Sequence, residues 1–594
     1  MKNNLLKIVK KALVTLLAAM MVLFGSIAFT STKASAAIPT VSYPNKTVML
    51  IPLDDRPINY DTVQKAAASS GLKIILPPKD IIATELQDKT DGTGSHGGNP
   101  TEVINWIEAH KSEADGYIIS ADQLHSGGLV ESRSLKPEIS TDQGKANLDI
   151  IQELKEEFPN KPIYVFDTVM RLASTAEYEG LDTTKYTQFR RYGGVPRKVL
   201  TSFSISSVKA AYNQDANGNP IPLSGTSPID NGNYSISQSE RDQYLAAKSR
   251  KLDLNYKVIQ EAAYADYTVF GVDDSNPKNT VQTNEINWLN FHIANTIGST
   301  KSAIVSDADG ISLNLLARMT KELYSQPSIK YHVQWFGADG ATKQEPYHFE
   351  STLGELLKTQ ITISGGSIVT DKNSADVSLL VLSPDSINRA SLVSTYNSNM
   401  SSIIPTTVID LKDSHADDYI MGNIVAGGNV SRMLAYSAWN TAGNRMGIAL
   451  GTGGSRFNFM RYETNPTKLR EATNAFVSLN IDRIIDDYEY KATRQKDTIA
   501  KIQSFGGNTA NMKTNMTEAQ IKQVDDFELA SMRNAQATIE SQFATHRVME
   551  KVNGLRSFDW VIVDSVPVLY DEDVALPWNR YFDLTVNTGA ASVH

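Results

Sequence analysis

The chain has 594 residues, of which 41% are hydrophobic, and it carries a formal net charge of −9. This size predicts a large hydrophobic core in one or two domains. The absence of Cys excludes disulfides, and the acidic balance without basic runs argues against nucleic acid or an anionic membrane as a partner.

The first residues have the pattern of a secretory signal. Four lysines lie within the first eleven residues, an uncharged apolar run extends from residue 12 to about residue 29, and Ala34-Ser35-Ala36 follows. This order predicts export and cleavage after Ala36. No later stretch is apolar enough to cross a bilayer, so we expect a secreted, extracellular protein that is soluble after cleavage.

Short runs rich in Val, Ile, Leu and Tyr alternate with stretches of helical periodicity, which is typical of buried parallel strands. Ten strands are predicted: residues 47–53, 73–76, 116–120, 162–166, 267–272, 302–306, 331–336, 377–382, 406–411 and 433–437. The alternation predicts an α/β fold in which most strands close into a (β/α)8 barrel. Two doubly wound α/β lobes, joined near residue 325, are the alternative.

The remaining segments have other compositions. Residues 213–238 are dominated by Asn, Gly, Pro and Ser, which predicts a long surface loop of the kind that often covers a site. We interpret Gly451–Ser455 as a helix C-cap and turn rather than a phosphate-binding loop.

Residues 37–465 are therefore expected to form the α/β domain. After Pro466 the periodicity becomes helical, over 469–501 and 518–552, so residues 466–594 are expected to form a helical appendage with a short β tail. The tail contains Trp560, Trp578 and Tyr581, and we expect it to pack back onto the main domain.

Acidic side chains follow many of the predicted strands, at the edge where parallel α/β folds gather functional groups. One Asp at such a position is explained by helix capping, but two adjacent Asp residues need only one cap. Asp54-Asp55 and Asp273-Asp274 therefore each leave one carboxylate for chemistry. Other candidates at strand ends are Arg56, Asn59, Asp122, Gln123, His125, Glu131, Arg133, Asp167, Arg171, Asp307, Asp309, Asp410, Lys412, Asp413, His415, Trp439, Asn440 and Asn444.

Several carboxylates together with Arg, Asn and Trp suit carbohydrate chemistry. Glycoside hydrolysis needs one protonated carboxyl and a second group in a different environment. The sequence Val272–Ser275 is similar to acidic pairs in which one residue is the acid and its neighbour orients the substrate. We therefore expect a glycosidase acting on extracellular or cell-wall glycan, with Asp273 and Asp274 as the catalytic pair. The expected sugar-binding residues are Asp54, Asp55, Arg56, Asp122, His125, Arg171, Asp307, Trp439 and Asn440.

Two alternatives remain open at this stage. A metal-dependent hydrolase would gather at least three strand-end Asp residues around Mg²⁺, Mn²⁺ or Ca²⁺. Zinc is disfavoured because the sequence has no H-E-x-x-H pattern. A noncatalytic secreted glycan- or solute-binding protein would instead have two lobes and a cleft. The glycosidase prediction requires no cofactor.

Four motifs resemble a known family: PLDDRPIN at Pro52–Asn59, DQLHSGGLVESR at Asp122–Arg133, VFGVDDSNPKN at Val269–Asn279 and AYSAWNTAGNRMG at Ala435–Gly447. The chain is similar in these motifs to DUF4127, a family of bacterial proteins of unknown function. The resemblance extends from about residue 45 to beyond residue 560. It implies the extent of the folded chain and assigns no activity and no catalytic residue.

Overall fold

The computed structural model describes residues 36–594, except 87–93, 277–278, 338–339, 345–347, 385–388, 412–419, 428–429 and 545–546. The predicted signal, residues 1–36, lies outside the described residues apart from Ala36. In the described part, no helix has both the length and the apolar character needed to span a membrane. Residues 36–594 form one compact unit.

Six parallel strands form the first sheet: β1 (Lys46–Ile51), β2 (Leu72–Ile75), β3 (Gly116–Ser120), β4 (Ile163–Val169), β5 (Tyr267–Val272) and β6 (Ser302–Val305). Their order is β2-β1-β3-β4-β5-β6. Every residue of β3, β4 and β5 is buried, as expected for central parallel strands covered on both faces. β1 lies between β2 and β3, so the connection from β1 to β2 and the connection from β2 to β3 run in opposite directions along the sheet. Parallel sheets commonly bind ligands at such a reversal, here the gap between the carboxyl ends of β1 and β3.

Five parallel strands form a second sheet: β7 (Lys330–Phe336), β8 (Ser367–Ile368), β9 (Val377–Leu382), β10 (Thr406–Asp410) and β11 (Met433–Ser437). Their order is β8-β7-β9-β10-β11. Each of the ten predicted strands coincides with a strand of these two sheets. The sequence missed β8, because two residues are too short to show a pattern.

The α/β class and the parallel pairing are confirmed, but a closed (β/α)8 barrel is not shown. The described strands pair into two open sheets, and the change of sheet falls between Val305 and Lys330. Hydrophobic periodicity marks each strand without showing which strands pair, and a barrel and an open sheet use the same strand–helix units. The sequence pattern therefore predicted the strands but could not predict whether they close into a barrel.

Helices cover the sheets and build much of the remaining chain. Those up to residue 462 are Asp61–Ser69, Lys79–Ile82, Pro100–His110, Ala121–Ser126, Leu129–Ser132, Thr141–Asn147, Ile150–Glu157, Thr183–Gly193, Ile205–Ala211, Gln238–Glu261, Val281–His292, Ile311–Leu323, Leu353–Ile363, Arg389–Ser401, Ile420–Ala426 and Ala442–Tyr462. Within the predicted loop 213–238, Ser224–Thr226 and Asn233–Ser235 pair as a short hairpin.

The chain beyond residue 465 is helical and then β-stranded. Its helices are Pro466–Ile484, Ile485–Arg494 (a π-helix), Gln495–Ser504 and Glu518–Ala544, and its strands are Arg547–Gly554, Ser557–Ser565, Val574–Ala575, Thr585–Val586 and Ser592–Val593. The last long helix ends at Ala544, earlier than its charge pattern predicted. Phe476 and Ile481 pack in one hydrophobic core with Leu380 and Val408 of the second sheet. The C-terminal residues are thus built onto this sheet rather than standing apart from it.

The interpretation of Gly451–Ser455 as a helix C-cap and turn was wrong, because these residues lie inside the helix Ala442–Tyr462. A Cβ on Gly451 would overlap the backbone of Leu313, and one on Gly447 would lie 3.1 Å from the carbonyl oxygen of Gly310. The glycines, spaced four residues apart, therefore let this helix approach the helix Ile311–Leu323 closely. Tertiary packing overrides the low helix propensity of glycine here.

We predict that Gly451→Ala destabilises the protein by about 1–3 kcal/mol, because the new methyl group overlaps backbone that cannot move away. In an open helix the same change would stabilise by up to about 1 kcal/mol. Denaturant unfolding measures the difference. Gly453→Ala is the matched control in the same helix, since its methyl group would lie 3.1 Å from side-chain atoms of Ala435 and Thr407. Equal unfolding free energies for the two variants would contradict the prediction.

Candidate functional site

A polar pocket of about 480 Å³ lies at the carboxyl ends of both sheets. Residues that follow β1, β3, β4, β5, β6 and β11 line it together with residues of the C-terminal tail. The lining residues are Arg56, Leu129, Arg133, Arg171, Tyr186, Arg190, Asp273, Asp274, Asp309, Asn440, Thr441, Trp578, Arg580, Tyr581 and Phe582. Arg56, Arg171, Asp273, Asp274 and Asn440 were among the residues predicted for the site.

Asp273 and Asp274 follow β5 directly. Neither caps the next helix, because Thr280 is the N-cap of Val281–His292. Arg133 Nη1 donates to Asp273, and Arg171 Nη1 donates to Asp274 at 3.1 Å. Each carboxylate thus has its own arginine, and both remain available to the pocket.

The two neighbouring carboxylates lie in different environments. The side chain of Asp273 is 12% exposed and that of Asp274 is 29% exposed. Burial, the largest cause, raises the pKa of Asp273 to about 6; Arg133 opposes this shift and the charge of Asp274 adds to it. A buried carboxyl group with a raised pKa, beside a more exposed carboxylate, suits the acid of a catalytic pair.

Arg56 and Asp309 also line the pocket. The guanidinium of Arg56 donates to Asp54 at 2.7 Å and also to Asp309. Asn59 Nδ2 bridges the same two carboxylates at 2.9 and 3.1 Å. Asp54 is fully buried and is not a lining residue, so its contribution is to hold Arg56 in place.

The C-terminal tail closes one side of the pocket. Trp578 Nε1 donates to Asp55 at 3.0 Å, and the indole ring lies between two guanidinium groups, 4.9 Å from that of Arg56 and 4.5 Å from that of Arg580. Asp55 accepts a further hydrogen bond from the backbone N–H of Thr84 at 3.1 Å. Asp55, a predicted sugar-binding residue, therefore anchors the tail.

Three residues that line the pocket have left-handed backbone conformations, which cost free energy for side chains other than glycine. They are Asp274 (φ +40°), Asn440 (φ +62°) and Trp578 (φ +55°). Such conformations persist where the surrounding structure enforces them, and they concentrate at functional sites. Their presence in three separate segments of the chain that line this pocket supports it as the functional site.

Asp122 and His125 were predicted to bind sugar, but they are fully buried and do not line the pocket. With Asp167 they form a group whose candidate ligand atoms lie within 4.8 Å of one another. The ammonium group of Lys251 lies among them, 2.6 Å from Asp122, 2.6 Å from Asp167 and 3.1 Å from His125 Nε2. The position that a metal ion would take is thus filled by a lysine.

This Lys251 network has a structural explanation. Asp122 follows β3, and it accepts hydrogen bonds at 2.9 Å from the backbone N–H and the hydroxyl group of Thr168 in β4. Burial, followed by the charge of Lys251, lowers the pKa of His125 well below its usual value. The network therefore joins the ends of β3 and β4 beneath the pocket.

Asp307 and Trp439 also lie behind the pocket wall. Asp307 accepts hydrogen bonds from Gly310 N at 2.9 Å, Asn444 Nδ2 at 2.6 Å and Gln360 Nε2 at 2.9 Å. Trp439 is 1% exposed, so its ring faces cannot stack on a sugar. Lys412, Asp413 and His415, further candidates from the strand ends, lie outside the described residues.

The prediction from strand ends did not include the lining residues that do not directly follow a strand. Tyr186 and Arg190 lie on the helix Thr183–Gly193, and four others come from the tail. The sequence does carry one signal for the tail, the aromatic and basic run WNRYF at 578–582. Its position more than 500 residues from Asp55 hid its relation to the site.

A family model described as "Protein of unknown function (DUF4127)" matches residues 48–587, a range that includes every residue lining the pocket. No curated protein matches the chain.

We predict that Lys251→Met destabilises the protein by about 3–5 kcal/mol, because the carboxylates of Asp122 and Asp167 would stay buried without a counter-charge. Thermal and denaturant unfolding measure the loss. Lys522→Met is the control, since Lys522 and Asp526 form an ion pair with both side chains more than half exposed. A Lys251→Met variant as stable as this control would contradict the proposed role of the ammonium group.

Proposed function

The chain belongs to the DUF4127 family, and we propose that it is a secreted carbohydrate-active hydrolase that cleaves a glycosidic bond in an extracellular or cell-wall glycan. The observation that carries this proposal is the pairing of Asp273 and Asp274 in one pocket, in different environments and beside aromatic and arginine side chains. Export is inferred from the basic, apolar and small-residue order of the first 36 residues.

In the proposed reaction Asp273 is the general acid. Its raised pKa, about 6, increases the protonated fraction that can donate to the leaving glycosidic oxygen. Asp274 orients the substrate beside the reacting carbon, and Arg171 holds its carboxylate in position. Water adds to the sugar carbon as the bond to the leaving oxygen breaks, and its proton restores the acid.

The other lining residues suit a sugar ligand. The guanidinium groups and the side-chain amide of Asn440 are planar donors that can grip vicinal hydroxyl groups. Tyr581 and Tyr186 supply ring surface that buried Trp439 cannot. A pocket of about 480 Å³ is large enough for a small ligand or for one end of a glycan chain.

The carboxylates in the pocket favour a route without a metal ion. Asp273, Asp274 and Asp309 each accept a hydrogen bond from an arginine that lines the same pocket. Because an arginine already neutralises each of the three carboxylates, these carboxylates do not need a metal ion as a counter-charge. We therefore propose hydrolysis by side chains alone, and a chelator control tests this point.

We predict that Asp273→Asn lowers kcat by about 10²–10⁴-fold, since an amide cannot deliver the proton. Hydrolysis of aryl glycosides and cell-wall glycans by the mature protein measures the loss, and chelator should leave wild-type turnover unchanged. Asp230→Asn is the control, because Asp230 pairs with Arg191 and does not line the pocket. Glycan binding without any turnover, unaffected by Asp273→Asn, would identify a noncatalytic binding protein instead.

The pH dependence of turnover gives a second prediction. The active form holds the proton on Asp273, so kcat should fall as the pH rises through about 6, the raised pKa of this carboxyl. A pH series of initial rates measures this limb of the profile. A rate that rises over the same interval would contradict an acid role for Asp273.

A further inference from the structure

Positive charge predominates among the side chains that line the pocket. Five of them are arginines, Arg56, Arg133, Arg171, Arg190 and Arg580, whereas three are acidic, Asp273, Asp274 and Asp309. A neutral sugar needs hydrogen-bond donors and acceptors but no excess of cations. The lining therefore indicates something more specific than hydroxyl recognition.

Part of the neutralising charge lies behind the pocket wall. Arg580 Nη2 donates to Asp583 at 3.2 Å, and Arg56 donates to Asp54 at 2.7 Å. Both of these carboxylates are buried, and neither lines the pocket. The five lining arginines are called the arginine wall below. Buried carboxylates thus hold two of them, Arg56 and Arg580, from behind, and the guanidinium groups of both border the cavity.

Two of the guanidinium groups have N–H donors that make no hydrogen bond to the described residues. Arg133 donates through Nε to Thr175 at 2.8 Å and through Nη1 to Asp273, and its Nη2 has no hydrogen-bond partner in the part of the chain that the structure describes. Arg580 donates through Nη2, and among the described residues its Nη1 has no acceptor. A guanidinium carries five N–H donors, so both can take a further acceptor.

The cations are also close enough to repel each other. Burial, followed by the charge of Arg171, lowers the pKa of Arg133 to about 10. Burial lowers the pKa of Arg580, and Arg56 contributes to the shift while Asp583 opposes it. An anionic ligand would relieve this repulsion, and two guanidinium groups match the oxygens of a carboxylate or phosphate.

We propose that the pocket binds an anionic sugar, one that carries a carboxylate or phosphate group. The assignment of the substrate as an acidic glycan rests on the proposed hydrolase function, whereas anion binding itself does not. The anionic group lies against the arginine wall, and the sugar ring lies toward Tyr186 and Tyr581. Carboxylate and phosphate share the chemistry that the wall recognises, and the experiment separates them.

Calorimetric titration of the purified chain with glucose, glucuronate and glucose 6-phosphate tests the proposal. The three probes share one ring and differ at one carbon. We expect at least one anion to bind about tenfold or more tightly than glucose, and added salt to weaken that binding. The tighter of the two anions identifies the group. Equal affinities for all three probes, or no binding of any probe, would overturn the proposal.

Neighbouring arginines on the helix Thr183–Gly193 supply a matched pair of variants. Arg190→Gln removes a charge from the pocket, whereas Arg191→Gln removes one that pairs with Asp230 at 2.9 Å away from the lining. The anion preference should fall about tenfold in Arg190→Gln and stay unchanged in Arg191→Gln. Arg580→Gln, on the tail, gives an independent test of the same wall. A preference that survives both pocket variants would overturn the proposal.

Failure of this proposal can be told apart from failure of the hydrolase proposal, because the titrations need no turnover. Hydrolysis of neutral glycans by a protein without anion preference would leave the hydrolase standing and remove the acidic substrate. Anion preference without hydrolysis of any glycan would leave an anion-binding pocket and remove the catalytic pair.

Discussion

One buried cation, Arg56, holds the pocket together. It follows β1, donates to Asp54 and to Asp309 after β6, and lies 3.8 Å from Asp583 in the C-terminal tail. Burial alone would lower its pKa, but these three carboxylates raise it well above its usual value. Because a buried charge is tolerated only with partners, three distant parts of the chain must meet at this side chain.

The same constraint accounts for the rest of the site. Asp273 and Asp274 sit in a turn with strained backbone, and each is matched to an arginine from another strand end. Beneath them, Lys251 neutralises Asp122 and Asp167. The ends of the parallel strands thus carry carboxylates that are paired with arginine or lysine side chains. The array satisfies the buried charges and leaves a polar cavity above them.

The tail shows why the C-terminal residues matter for the pocket. It packs against the second sheet through one hydrophobic core, yet it supplies Trp578, Arg580, Tyr581 and Phe582 to a pocket formed largely at the ends of the first sheet. The tail therefore adds to the contact between the two sheets, which also share a hydrophobic core that includes Val48 and Leu379. The strained backbone at Trp578 is retained because its indole N–H bonds to Asp55 and its ring stacks between two guanidinium groups.

The sequence alone determined the strands of the two sheets and the acidic pair of the pocket. Period and composition located every strand longer than two residues in the two sheets, and adjacency singled out Asp273-Asp274, whose side chains no helix cap requires. Tertiary structure alone decided that the strands form two open sheets, that Lys251 fills the Asp122 group, that Trp439 is buried, and that WNRYF reaches Asp55. The physical reason is the separation along the chain of the residues that interact. Strands, caps and turns depend on neighbours within a few residues, whereas sheet order and charge pairing depend on groups hundreds of residues apart that only packing brings into contact.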